Sequence, residues 1–213
     1  MFGAMAMGGA IVSILASTLA GPSATPTDDP PTQQITADVV TVNGSGCPAG
    51  TASVAVSPDN SAFTVTYSNY LAQVGVGALP TDWRKNCQLS LLIHIPAGFT
   101  YAIASADYRG FASLEKGSTG FQKASYYHQG SPSTAASTHT FTAPFADDWH
   151  ATDTTDVASL VYAPCGITRN FNVNTELRVL AGTSDTKNST SFMTMDSTDG
   201  AFSTVYHFAW QHC

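Results

Sequence analysis

The stretch Phe171-Asn-Val-Asn-Thr-Glu-Leu-Arg-Val constrains this chain more than any other. Phe171, Val173, Leu177 and Val179 alternate with Asn172, Asn174, Glu176 and Arg178. Successive side chains of a strand point to opposite faces, so this is a half-buried β-strand with an apolar inner and a polar outer side. The same period recurs. Cys87-Gln-Leu-Ser-Leu-Leu-Ile-His-Ile places Leu89, Leu91, Ile93 and Ile95 on one face. Ala62-Phe-Thr-Val-Thr-Tyr sets Phe63, Val65 and Tyr67 against Thr64 and Thr66, and Thr140-Phe-Thr reads as a further strand. Ser57-Pro-Asp-Asn separates two strand candidates, and Pro96-Ala-Gly is another break. Asp199-Gly200 is a two-residue hairpin signal that would join Ser191–Asp196 to Ala201–Gln211, with Phe202, Tyr206, Phe208 and Trp210 on one face.

Helix signals are almost absent from Ile35 onward. Charged residues are 11% of the chain, and 49 of its 213 residues are Ser or Thr, a composition that favours strands. The expected fold is all-β: one two-sheet β-sandwich domain over residues 35–213, with nine or ten mostly antiparallel strands. Hydrophobic residues at 43% exclude disorder for most of the length. A net charge of −7 argues against nucleic-acid binding through a basic field.

Residues 1–20 carry no charged side chain and end in Ala-Ser-Thr-Leu-Ala, with small residues at Thr18 and Ala20. This reads as a secretory signal peptide with a weak n-region, cut after Ala20. Its length would also let it span a bilayer, but it is rich in Gly, Ala and Ser and Pro22 follows at once. No membrane association is expected after cleavage. Residues 21–34, with four prolines and no apolar periodicity, read as a Pro/Thr-rich linker.

Cys47, Cys87, Cys165 and Cys213 form an even set, which in a secreted chain implies two disulfides. Three connectivities are possible. The sequential one, Cys47–Cys87 with Cys165–Cys213, is the expected pairing; each bridge would close about 40–50 residues and contribute ~3–4 kcal/mol. No Cys-x-x-Cys is present, which argues against a redox motif or zinc ribbon. Asn43-Gly-Ser and Asn188-Ser-Thr are N-glycosylation acceptors in a eukaryotic host.

Several motifs resemble one family of small secreted proteins. They are Gly44-Ser-Gly-Cys-Pro-Ala-Gly, Arg84-Lys-Asn-Cys-Gln-Leu, Ala106-Asp-Tyr-Arg-Gly-Phe, Leu114-Glu-Lys-Gly-Ser-Thr-Gly, Tyr162-Ala-Pro-Cys-Gly and the ending Ala209-Trp-Gln-His-Cys. The family is the fungal and bacterial one catalogued as domain of unknown function 4360, and the resemblance spans Thr41 to Cys213. It implies a secreted, cysteine-paired, fungal protein and brings no catalytic residues with it.

Chemistry-bearing groups are few. No Gly-x-Ser-x-Gly elbow is present, although six histidines leave a Ser-His-Asp arrangement open by composition. A glycosidase needs two carboxylates roughly 5–9 Å apart; the acids include Asp107, Glu115, Asp147, Asp148, Glu176, Asp196 and Asp199. Asp107 and Arg109 fall on one side of a strand and are expected to form a structural ion pair, or part of a polar site with Tyr108. The segment from Asp147 to Asp156 reads as a solvated acidic loop without the ligand spacing of a calcium site. Trp149, together with Tyr126 and His128 on one side of a strand, could form a sugar-binding face, since an aromatic ring meets a sugar's C–H face while polar groups take its hydroxyls; the other reading is that these aromatics are core. The expected protein is a non-catalytic cell-surface or wall module whose partner is extracellular polysaccharide. A secreted wall hydrolase and a secreted effector acting on a host protein are the alternatives. No cofactor or metal is expected, and catalytic residues are unassigned.

Overall fold

The computed structural model describes residues 28–131, 135–195 and 203–213. The signal peptide expected at 1–20, the expected linker up to residue 27, Phe202 and the turn expected at Asp199-Gly200 lie outside them. Twelve strands and one 3-10 turn, Val157–Ser159, make up the regular structure of the described residues. That is more than the nine or ten expected. The excess comes from short or polar strands whose alternation is weak.

The strands form two antiparallel sheets. The five-stranded sheet has the order β1 (Thr36–Asn43), β5 (Arg84–His94), β10 (Asn170–Leu180), β7 (Thr119–His128), β8 (Ala135–Thr142). The second has the order β2 (Ala52–Val56), β3 (Ala62–Tyr67), β12 (Thr204–His212), β6 (Phe99–Leu114), β11 (Thr190–Thr194), β4 (Leu71–Gly75). Strand β9 (Phe145–Thr154) pairs with β6 as well.

Strand β6 organises the second sheet. One edge pairs first with β12 and then with β11; the other pairs along Ser105–Leu114 with β9. The expected β11–β12 hairpin is therefore not formed: both strands lie in tandem along β6. On β6 the pairing steps from Ser105 to Ile103 while β12 advances by one residue, which leaves Ala104 as a bulge. An extra residue reverses the alternation. Before it Tyr101 and Ile103 face the core; after it Ala106, Tyr108, Ala112 and Leu114 do. Asp107 and Arg109 are thereby turned outward.

The core fills the space between the sheets. Leu89, Leu91 and Ile93 of β5 and Phe171, Val173, Leu177 and Val179 of β10 are buried, as their alternation requires. They face Phe63, Val65, Tyr67, Tyr206, Phe208 and Trp210, and Phe63 stacks on Tyr206 at 4.8 Å. Each such side chain contributes ~2 kcal/mol by leaving water. The disulfides are Cys47–Cys87 and Cys165–Cys213. The first ties the loop after β1 to β5. The second clips the chain end beside Gly98, whose carbonyl accepts the Cys213 amide at 2.9 Å.

Residues 28–34, which composition groups with the linker, are fastened to the sandwich. Asp28 bridges to Trp210. Asn60 Nδ2 donates to the carbonyls of Pro31 (2.7 Å) and Gln33 (2.9 Å), while its Oδ1 accepts from the Ile35 amide (3.1 Å) and Gln34 Nε2 (2.9 Å). Asn60 is 2% exposed and sits at φ 56° in the turn between β2 and β3, the left-handed region that Asn tolerates better than most residues.

Candidate functional site

The aromatic face expected from Trp149, Tyr126 and His128 does not exist. Trp149 is 3% exposed, because Asp147–Thr154 is strand rather than acidic loop. Its indole packs on Phe141 at 5.2 Å and lies against Gly110, where a Cβ would meet it at 2.6 Å. Tyr126 and His128 do share one side of β7, with Tyr127 on the other, but that side is the core. His128 packs against Tyr101 and Phe171, and burial holds its imidazole below the usual histidine range. Tyr108 is also buried, and loss of water around its hydroxyl pushes its pKa up, reinforced by the nearby Asp153 charge. A polar site built on Tyr108 is excluded by that burial.

Asp107 is outward, but its partner is not Arg109. Its Oδ1 accepts from Thr152 Oγ1 (2.6 Å) and lies 3.3 Å from His150 Nε2; its Oδ2 lies 2.9 Å from His207 Nε2. Partial burial pushes the Asp107 carboxyl up, and the Thr152 and His207 hydrogen bonds with the His207 charge outweigh that and hold it below its ordinary value. A general acid in glycoside hydrolysis needs the reverse, a raised pKa. Arg109 stands across from His150 on β9, exposed. Among the described residues no three His, Cys, Asp or Glu side chains are placed to hold a metal ion.

A second polar trio lies where β8 and β9 close one side of the sandwich. Asp153 Oδ1 is 2.8 Å from His139 Nε2, and its other oxygen accepts from Ser137 Oγ. A nucleophilic serine needs its hydroxyl on the histidine. Here the carboxylate is the hub, and serine and histidine each bind it separately.

The arrangement best suited to a ligand lies on the outer face of the five-stranded sheet, which sequence reasoning treated only as the solvated side of β10. Strand β10 presents Asn170, Asn172, Asn174, Glu176 and Arg178 in line. Register sets Asn174 between Gln88 and Ser125, Asn172 between Ser90 and Tyr127, and Glu176 between Asn86 and Lys123. Cross-strand neighbours share a face, so these side chains form one polar surface with a shallow recess of about 160 Å³ over Asn86, Gln88, Ser125, Asn174 and Glu176. Asn170 donates to Ser90 Oγ at 3.1 Å, and Asn86 Oδ1 accepts from Ser45 Oγ at 3.2 Å. The amides of Gln88, Asn172 and Asn174 make no side-chain hydrogen bond to other described residues, and Asn172 and Asn174 are half-buried.

Glu176 anchors one end. It is 8% exposed, with one oxygen paired to Arg84 and the other to Arg178. Alternation puts Glu176 and Arg178 on the outer side. That Arg84, 92 residues earlier in sequence, covers the carboxylate is a consequence of β5–β10 pairing. The signal available in sequence was the unbroken run of Asn at every outer position from 170 to 174.

The motifs that suggested a family do structural work here. Gly44 sits at φ 139°, where a Cβ would lie 2.2 Å from the Asn86 carbonyl oxygen, and Cys47 and Cys87 are bridged. The sequon residues Asn43 and Asn188 are exposed.

A family model described as domain of unknown function (DUF4360) matches residues 33–213. An "Uncharacterized secreted protein" of Arthroderma benhamiae is 38% identical over 174 residues, covering 82% of this chain and 70% of that protein. Among solved structures, the enzymatically active domain of bacteriophage CBA120 tailspike protein 4 aligns with a TM-score of 0.27 at 9% identity, over 81% of this chain and 19% of that one. This chain thus spans about a fifth of the tailspike chain, and so weak a likeness carries no argument. Family match, relative and paired cysteines agree: the chain is a secreted, disulfide-bonded β-sandwich protein and belongs to the DUF4360 family.

Proposed function

We propose that the protein is a non-catalytic extracellular module that binds polysaccharide through the outer face of its five-stranded sheet. The observation that carries this reading is the row of Asn172, Asn174 and Gln88 amides with unused hydrogen-bonding capacity. Each amide offers two donors and a carbonyl acceptor, so it can pair with adjacent hydroxyls of a sugar, each of which both donates and accepts. Rigid strands hold these groups in a plane, with cross-strand spacing of about 4.8 Å and same-face spacing along a strand of about 6.7 Å. Tyr127, beside Asn172 on this face, supplies a ring for a sugar's C–H surface. The fungal origin and wall association expected from sequence belong to this same reading.

The test is binding of the secreted protein to insoluble chitin, β-glucan and cellulose and to soluble neutral and acidic glycans, with released reducing sugar measured in the same tubes. Binding without release, lost in the Asn172→Ala/Asn174→Ala double variant, is the expected result. Sugar release would replace this reading with a hydrolase. No binding to any glycan would remove it and leave a protein target.

A further inference from the structure

The outer face is not uniformly polar. Three of the chain's eight Lys and Arg residues, Arg84, Lys123 and Arg178, meet at its Glu176 end, in a protein of net charge −7. Glu176 compensates only part of this. Arg84 commits Nε and Nη2 to it, and Arg178 commits Nε. Both Nη groups of Arg178 are left without a side-chain partner among the described residues. Lys123 stands opposite Glu176 in register, exposed, and makes no ion pair with it. With one carboxylate against three cations, the cluster keeps two positive charges at the edge of the recess. Like charges placed together without a partner cost stability, so the arrangement calls for an anion that no described residue supplies.

From these observations we infer that the ligand of this face is an acidic polysaccharide whose uronate carboxylate docks between Arg178 and Lys123. This rests on the glycan-binding reading above and names the class of glycan. The planar guanidinium of Arg178 offers two parallel N–H groups to a carboxylate, a geometry that a lysine cannot reproduce. Lys123 contributes a point charge from the neighbouring strand. Asn174, Gln88 and Asn172 continue along β10 and β5 and take the hydroxyls of the following sugars. The Glu176 carboxylate, held by both arginines, fixes the fork and disfavours a second anion farther along.

The experiment uses the secreted protein and four soluble probes: polygalacturonate, its methyl ester, a neutral β-glucan and dextran sulfate. Methyl esterification keeps the sugar chain and removes the charge. Expected is binding to polygalacturonate that falls about tenfold or more between about 0.05 and 0.5 M NaCl, because exposed charges are screened at that salt, and at least about tenfold weaker binding to the ester. Lys123→Ala, at an exposed position where folding is safe, and Arg178→Lys should each weaken polygalacturonate binding and leave the ester unaffected. Equal affinity for acid and ester, or no effect of either substitution, overturns the inference while the glycan-binding reading stands. Equal or tighter binding of dextran sulfate overturns the carboxylate assignment. Failure of all four probes to bind overturns the inference, and failure of chitin and cellulose as well overturns the glycan-binding reading with it.

Discussion

Asn60 offers a stringent test of what fastens residues 31–35 to the sandwich. Its side chain makes four hydrogen bonds, two donated to the Pro31 and Gln33 carbonyls and two accepted from Ile35 and Gln34. Replacement by Ala removes all four and leaves the buried Ile35 amide without its acceptor. A net value of about 1 kcal/mol per bond gives ~4 kcal/mol. The left-handed backbone at φ 56° adds ~1 kcal/mol for a Cβ-bearing residue without the local polar bonds of Asn. Asn60→Ala should therefore destabilise by about 5 kcal/mol, and Asn60→Gly, which relieves the backbone, by about 4 kcal/mol. Urea unfolding with the slope held constant measures both, and amide exchange at Ile35 reports the lost acceptor directly. A loss below about 1 kcal/mol for Asn60→Ala, with Ile35 still protected, would refute the clip and the counting behind it.

Three further outcomes follow from the packing and the charges. Gly110→Ala places a Cβ 1.9 Å from the Thr194 carbonyl oxygen and 2.6 Å from the Trp149 ring; overpacking of this kind costs about 1–3 kcal/mol, and a changed near-ultraviolet tryptophan signal should accompany it. His128 has its pKa lowered by burial, so protonation favours the unfolded chain, and stability should fall as pH drops below about 6.5. His128→Phe keeps a ring against Tyr101 and Phe171 and should flatten that fall, read as Tm between about pH 7 and 5; an unchanged slope would contradict the assignment. Asp107 has its pKa lowered by its hydrogen bonds, so its contribution is present above the unfolded value near 3.9 and lost as pH falls through the folded one. Asp107→Asn should remove that part of the acid limb, read as Tm between about pH 5 and 3.

How much was legible depended on the kind of information each residue carries. Phe171, Val173, Leu177 and Val179, and Leu89, Leu91 and Ile93, declare both a period and its inner side, because, Thr175 and Leu92 aside, one set is apolar and the other polar. Tyr126 and His128 declare only the period. Both have an apolar body and a polar tip, so alternation places them together without saying which way they face. Trp149 lies in Asp-Asp-Trp-His-Ala-Thr-Asp, where inner and outer positions both include acids; only full-length pairing with β6 makes that segment a strand and buries the indole. The Ala104 bulge sits among the small residues Ala102, Ala104, Ser105 and Ala106, which mark neither face, yet it decides that Asp107 points outward.

The sequence by itself determined the all-β class, the inner faces of β5 and β10, the secretory character and the family, since these rest on local alternation, cysteine number and short motifs. The tertiary structure alone decided the site. Arg84 pairs with Glu176 and Lys123 stands across from it, from strands 92 and 53 residues earlier in sequence, brought alongside by the register of β5 and β7 against β10. A polar outer face becomes a candidate binding surface only when neighbouring strands align their side chains on it. Register is set by burying the opposite face, which no single strand can do alone.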